Sequence, residues 1–599
     1  MKKEPKRVEV KEEDKWNLES MYPSIDDWNK DYNKVQILEK KLLKYKNHLL
    51  DSGKSLYEYL TKSDELEIIL ENLIIYANMK SDEDTTNTNF IALKGKIENL
   101  EVKISEEFSF FMPELLKNDY DKLEDFYKEC PELIKYEFLL KDIFRFKKHT
   151  LSEQEEKILS SLSNDLDYSN KIAGVIRDSD IKFGNIKDEN DKDVELTNNN
   201  YSIYIKSKER KVRKNAFQEL YKTYASLKNT LATTYSGEVD ANIHLSKIRG
   251  YSSARERALF SNNIDINVYD NLIETVNKHM DVIYKYYDLK KEVLKLDELH
   301  LYDIYTDLVT ENEKNYSFEE GKELVINALS VLGEDYINNL KKAFSEKWID
   351  KYPNIGKRGG AYSWGTYISK PFILLNYQNE LEDVSTLAHE LGHSMHSYYS
   401  KANNPYHCYH YRIFVAEVAS TVNEMLLYKH MLKNSNSKQE KLVILDNLME
   451  LFKGTIYRQT MFAEFERDIY KKVEDGEIIT YDLLCDYYYE LNKKYFGNSV
   501  IIDEEIKYEW ARIPHFYMNF YVYQYATGLS AASTIVTNIL EEKENAKENY
   551  LKFLTLGGSM YPIDELKVAG VDMTKPEVIE KAINMFDEII EEFKKIYNS

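Results

Sequence analysis

Apolar residues recur at three-and-four spacing over most of this chain. Leu66, Ile69, Leu70, Leu73 and Ile74 show the pattern inside a stretch running from Asp26 to about Phe146, with charges between them. That period lays one apolar stripe along each helix, so the stretch reads as an array of amphipathic helices. No fixed-period repeat with its own signature residues accompanies it, which argues against a solenoid of identical units. The pattern breaks between Arg177 and Asn200, where IKFGNI and VELTNNN alternate around the polar segment KDENDKD as a hairpin would. A boundary near residue 195 follows, with a helical lobe over 1–195 and a second domain over 196–599. Helical periodicity resumes at Lys206 and continues, with short interruptions, to about Ser345. A second break, RGGAYSWGTYISKPFILLNY, holds paired glycines, Pro371 and the apolar run from Phe372 to Leu375. It reads as a Gly-rich loop and a short strand. Such a strand either offers an open edge to an extended peptide or is buried in the core.

Composition sharpens this picture in three ways. Only 20 Gly and 10 Pro punctuate 599 residues, which leaves few turns and favours a mainly α protein. The length exceeds what one hydrophobic core serves, so two or more lobes are expected. The 81 Lys and Arg against 103 Asp and Glu leave a net charge of −22, whose field repels nucleic acid and anionic membranes as partners. Cys130, Cys408 and Cys485 are too far apart for a disulfide framework or a Cys-type zinc site. With an N-terminus too polar for a signal peptide and no apolar run near the length of a membrane span, the expected compartment is the cytoplasm. Oligomeric state is left open between monomer and small homo-oligomer.

The chemistry concentrates in DVSTLAHELGHSMHSYYS, where His389, Glu390 and His393 form H-E-x-x-H. Residues four apart share one helix face, so both imidazoles can reach one metal while Glu390 lies about 100° around. Asp383, Ser385 and Thr386 are suitable N-terminal caps for that helix. With His at 12 of 599 positions, chance supplies the motif about 0.02 times. A catalytic zinc takes three protein ligands and keeps one position open. Between His393 and Glu417 there is no Asp or Glu, only His396, His407 and His410 among good ligands. The metzincin pattern fails, because His396 stands at its Gly and Tyr399 at its last His. Glu417 lies in RIFVAEVASTVNEMLL, a second helix whose Ala416, Ala419 and Ser420 permit close approach. Glu417, Thr421 and Glu424 share one side, so Glu417 suits the metal and Glu424 either orients an imidazole or is a solvated charge. His407 and His410 read as loop residues.

HELGHSMH, FVAEVASTVNE and IPHFYMNFYVYQYATG, with GKRGGAYSWGTY and, more weakly, RKNAFQELYKTYASLKNTLA and RGYSSARERAL, resemble the oligoendopeptidase F family. These are relatives of thimet oligopeptidase among the glutamate-zincins, and the likeness covers about residues 200 to 560. It implies one Zn²⁺ per chain held by His389, His393 and Glu417, with Glu390 as general base. It implies two helical lobes enclosing a deep channel, a small β element beside the motif helix, and cleavage of short peptides in the cytoplasm. It also implies that His515, Tyr521 and Tyr525 contact the substrate carbonyl, and that Gly359, Gly360, Ala361, Tyr362 and Tyr517 line the substrate site. His396 is matched as packing or as a support behind the ligands. A helical wheel places Tyr517, Tyr521 and Tyr525 near one side and Tyr523 away, although a chain with 49 Tyr also uses such residues in ordinary packing. Two other readings are a helical zinc carboxypeptidase and a helical binding scaffold with a vestigial motif.

Overall fold

The computed structural model describes residues 4–309 and 314–599. Helices carry most of them, as the scarcity of turn residues predicts, and the described residues form two small sheets. β1 (Asn185–Lys187) and β2 (Asp193–Glu195) make the antiparallel hairpin expected from the alternation around KDENDKD. β3 (Ile349–Asp350), β4 (Tyr362–Trp364) and β5 (Phe372–Leu374) make a three-stranded sheet in the order β3-β5-β4. The chain divides into two units, each drawn from three segments. The first comprises Met1–Ser161, Lys314–His430 and Ile535–Gly570, the second Leu162–Glu313, Met431–Thr534 and Val571–Ser599; residue 195 lies inside the second.

In the first unit the predicted helical array appears as Ile25–Leu42, Gly53–Glu83, Thr88–Glu107 and shorter pieces. Ser24 and Ser52 cap the first two by accepting the amides of Asp27 and Ser55, which satisfies donors a helix start leaves orphaned. The apolar stripe buries Leu66, Ile69, Leu70 and Leu73, while Ile74 is half-buried. Each fully buried Leu contributes about 1.5–3 kcal/mol. Their core also takes in Trp16, Trp28, Phe372 and Leu374, so helices from the start of the chain hold β5 in place. Phe372, Ile373 and Leu374 are wholly buried, and β5 is paired on both sides. The outer strands of this sheet are β3 and β4, so one strand edge lies in β4, inside the stretch expected to be a loop. Asp350 anchors β3 through Arg7 and Lys357, its buried carboxylate 2.7 Å from the lysine.

The second unit packs helices such as Arg210–Ser226, Lys228–Ile248, Gln459–Glu474 and Tyr481–Phe496 around buried tyrosines. Within it Glu466 is fully buried; Oε1 accepts the Phe520 amide at 2.6 Å and Oε2 meets no partner among the described residues. Burial pushes its pKa up to about 8, the Phe520 amide pulling it down and Glu238 adding to the rise. A carboxyl raised in the folded state holds a proton there that the unfolded chain releases from about pH 4.5 upward. Its stability contribution is complete below that pH and lost as pH rises through about 8. Glu466→Gln, which keeps the shape without the charge, is expected to flatten the fall in melting temperature between pH 5 and 8. The gain at pH 8 is on the order of a few kcal/mol. An equal pH slope in parent and variant thermal melts would rule this out.

Candidate active site

The motif helix and the second site helix as far as His430 belong to the first unit. The motif helix runs Leu381–Asn403 and starts one turn before the residues expected to cap it. Glu380 is the N-cap, and Asp383 closes a capping box by accepting the Glu380 amide at 2.9 Å. Ser385 and Thr386 lie inside the helix instead, where Ser385 donates to Glu424 at 3.1 Å and Thr386 bonds back to the Glu382 carbonyl. The second helix, Ile413–Asn434, crosses close by. Asn423 ties the two by donating to the Ala388 carbonyl at 3.1 Å, while Tyr336 donates to its other face.

Gly392 sets how close they come. A Cβ there would stand 2.5 Å from Ser420 Cα and 2.6 Å from the Ala419 carbonyl oxygen. Only a residue without Cβ allows that backbone-to-backbone approach. The signal was present in the sequence, since glycine inside a helix costs about 1 kcal/mol against alanine and so marks a position where packing demands it.

The close crossing brings His389, His393 and Glu417 together. His389 Nε2 and His393 Nε2 lie 3.2 Å apart, and Glu417 Oε2 is 3.5 and 3.6 Å from them. Ligand atoms about 2.0–2.1 Å from a tetrahedral centre stand about 3.4 Å apart, so this triangle fits a zinc ion. The outer ring nitrogens are held as well. His389 Nδ1 faces Glu424 Oε2 at 3.4 Å, and the Ala416 backbone carbonyl is in bonding reach of the His393 ring. Such partners fix which nitrogen faces inward. Burial would lower the His389 pKa, but Glu424, Glu390 and Glu417 together outweigh it and push the imidazole up to about 9. Burial and the neighbouring His389 push His393 down. Two imidazoles this close cannot both carry a proton, whereas one divalent cation satisfies both with the carboxylate.

Glu390 is buried, and its Oε2 has no hydrogen-bond partner among the described residues. Burial pushes its pKa up to about 7, against the charge of His389 and with that of Glu417 and Glu424. The Ser363 backbone on β4 lies beside it and pulls its pKa down, and Ser363 Oγ pairs with Ser394 Oγ of the motif helix at 2.7 Å. The open strand edge and the buried carboxylate are thus adjacent. His396 lies flat on Tyr411, ring centres 3.8 Å apart, with neither ring nitrogen bonded, so it packs the helix against its support. His407 bonds Asp64 and the Lys135 carbonyl, and His410 pairs with Glu71.

Gly359 and Gly360 are exposed, with space beside both and Gly360 in the left-handed region at φ +79°. Asn376 pins this loop by donating to the Arg358 and Gly360 carbonyls. Ala361 is half-buried, and Tyr362 donates to Asp82 at 2.9 Å.

The late aromatic segment belongs to the second unit. It is not one helix: His515 and Tyr517 sit in a 3-10 turn over Pro514–Tyr517, and the helix begins at Tyr523. The helical wheel therefore misplaces Tyr517, whose hydroxyl pairs with Thr234 Oγ1 at 2.8 Å. Turn and helix still bring His515, Tyr521 and Tyr525 together. Tyr525 OH is 3.4 Å from His515 Nε2, and Tyr521 lies parallel to the imidazole at 6.1 Å. Tyr523 points into the core against Tyr269.

Residues 203–585 match the model of peptidase family M3, and 114–183 match that of oligopeptidase F. This chain belongs to peptidase family M3. Like other family M3 members it is a metalloendopeptidase. It is 46% identical to oligopeptidase PepF of Bacillus subtilis over 99% of its length and 88% of that protein's. An oligoendopeptidase F homolog of Borreliella burgdorferi is 41% identical, covering 99% of each chain. The solved oligoendopeptidase-F of Enterococcus faecium superposes with a TM-score of 0.78 at 34% identity, over 96% of this chain and 99% of that one.

Glu424 faces the ligand cluster at His389 Nδ1, so any effect on a metal held there would pass through that imidazole. Glu424→Gln is expected to weaken zinc retention and peptidase activity together by about 10–100-fold. Titration with a competing chelator checks it, and unchanged retention would mean that Glu424 is an ordinary helix charge.

Proposed function

We propose that this family M3 member is a zinc-dependent oligoendopeptidase in which His389, His393 and Glu417 hold the ion and Glu390 is the general base. The observation that carries the reading is the ligand triangle with edges of 3.2–3.6 Å beside a buried carboxylate whose Oε2 has no partner among the described residues. Zinc in such a site supplies a Lewis acid that activates water and polarises a carbonyl. Glu390, raised by burial, takes the water's proton and passes it to the leaving amine. The free edge of β4 pairs with the substrate backbone, and the loop at Gly359, Gly360, Ala361 and Tyr362 lies beside it. His515, Tyr521 and Tyr525 contact the substrate carbonyl; each donor to a developing oxyanion contributes about 3 kcal/mol.

We further propose short peptides as substrates, in line with the names of the relatives, and the cytoplasm as the compartment. No helix among the described residues is long and apolar enough to cross a membrane. The domain division near residue 195 stays part of this proposal. One digest tests the function: peptides of graded length, incubated with and without a zinc chelator and read by mass spectrometry. Internal cleavage of the short ones, abolished by chelator and restored by Zn²⁺, is expected. Stepwise loss of single C-terminal residues would point to a carboxypeptidase instead.

A further inference from the structure

We propose that Arg177 binds a carboxylate of the peptide substrate and so selects what the enzyme cleaves. This rests on the reading that His515, Tyr521 and Tyr525 touch substrate. Arg177 lies in the second unit with those residues, in a π-turn over Ile176–Asp180 that ends the helix Tyr168–Val175. Turns of this type inside helices recur at functional sites. Its backbone is fixed, because Asn198 Nδ2 donates to the Arg177 carbonyl at 2.8 Å and Tyr224 holds Asn198 in turn at 3.2 Å. The guanidinium stands over Tyr517, 5.6 Å from the ring centre. It is also close enough to His515 that, after burial, its charge is what pushes that imidazole's pKa down.

Among the described residues the guanidinium has no counter-ion. Arg177 Nη1 is buried without a hydrogen-bond acceptor, and no carboxylate among the described residues forms an ion pair with it. Several other buried or half-buried arginines have a carboxylate, Arg213 with Asp303, Arg255 with Asp270 and Arg458 with Glu509, and Arg257 has the Asn242 side-chain oxygen at 3.4 Å. In a chain carrying 103 Asp and Glu, an arginine held only by an aromatic face is the exception. A planar fork of donors suits a carboxylate, which it can engage through two parallel bonds. An unbonded buried donor is costly, and a ligand carboxylate removes that cost. Every peptide offers one at its C-terminus, and Asp or Glu side chains offer another.

The test compares one peptide in three forms: free C-terminal acid, C-terminal amide, and amide with a single Glu introduced. For the parent enzyme kcat/KM should favour the acid over the neutral amide by about 10–100-fold, the worth of a charged hydrogen bond. If a side chain is the source, the Glu-bearing amide takes the acid's place as preferred form. In Arg177→Gln the preference should collapse to near unity through KM, and a thermal melt matching the parent's shows that the variant folds. Arg177→Lys, keeping charge without the fork, should fall between. An equal preference in parent and Arg177→Gln overturns the proposal. His515→Ala separates the two levels: lost turnover of all three peptides supports the underlying reading, and unchanged turnover overturns it and the proposal with it.

Discussion

Glu390→Gln is expected to lower kcat by about 10²–10⁴-fold, the usual contribution of a positioned general base, while the protein keeps its zinc. Glutamine matches the shape of glutamate but cannot take a proton. The parent carboxyl is prepared for that task by its surroundings: it is 6% exposed, pushed up to about 7 by burial, and its Oε2 is unbonded. A base near the working pH both holds the right form and accepts a proton readily. The three ligands do not depend on this side chain, so metal content should stay at the parent level. Single-turnover kinetics with metal analysis on the same sample checks both halves. Activity within tenfold of the parent would remove Glu390 from the mechanism, and loss of zinc would make it a ligand or its support.

Gly392→Ala should damage the enzyme more broadly. The new methyl would meet Ser420 Cα at 2.5 Å, the Ala419 oxygen at 2.6 Å and Ser420 N at 2.7 Å. All three are backbone atoms of the second helix, so no side chain can swing aside. The helices must part, carrying Glu417 away from His389 and His393. Overpacking of this kind costs about 1–3 kcal/mol. Zinc retention should drop by at least the tenfold that smaller disturbances around a metal produce. Gly95→Ala is the control, because that glycine is also inside a helix but has nothing within 4 Å of a Cβ. There the exchange should stabilise by about 0.5–1 kcal/mol. Thermal melts and zinc titration of the pair separate the cases, and equal behaviour of the two variants would mean that the helix crossing does not depend on Gly392.

What the chain alone determined is local or counted. The three-and-four spacing made the helices legible, because one period decides which residues of a helix share a face. The same geometry placed His389 and His393 on one side before any fold was known. The alternation around KDENDKD identified β1 and β2 for the same reason. Glu417 was legible by scarcity, since no earlier acidic residue follows His393, and Glu424 by its place on the same stripe. What needed the tertiary structure depends on neighbours far along the chain. The run from Phe372 reads equally as edge or core, and only pairing with β3 and β4 makes β5 central. Asp383, Ser385 and Thr386 are all good caps in isolation, but the N-cap is Glu380, and only Asp383 takes part, from within the first turn. Tyr517 fell outside the wheel because the backbone turns between it and Tyr523. The approach at Gly392 and the exposure of Arg177 to no acid arise from segments that no periodicity relates. A period describes what one element presents; which element meets it is settled by packing the whole chain at once.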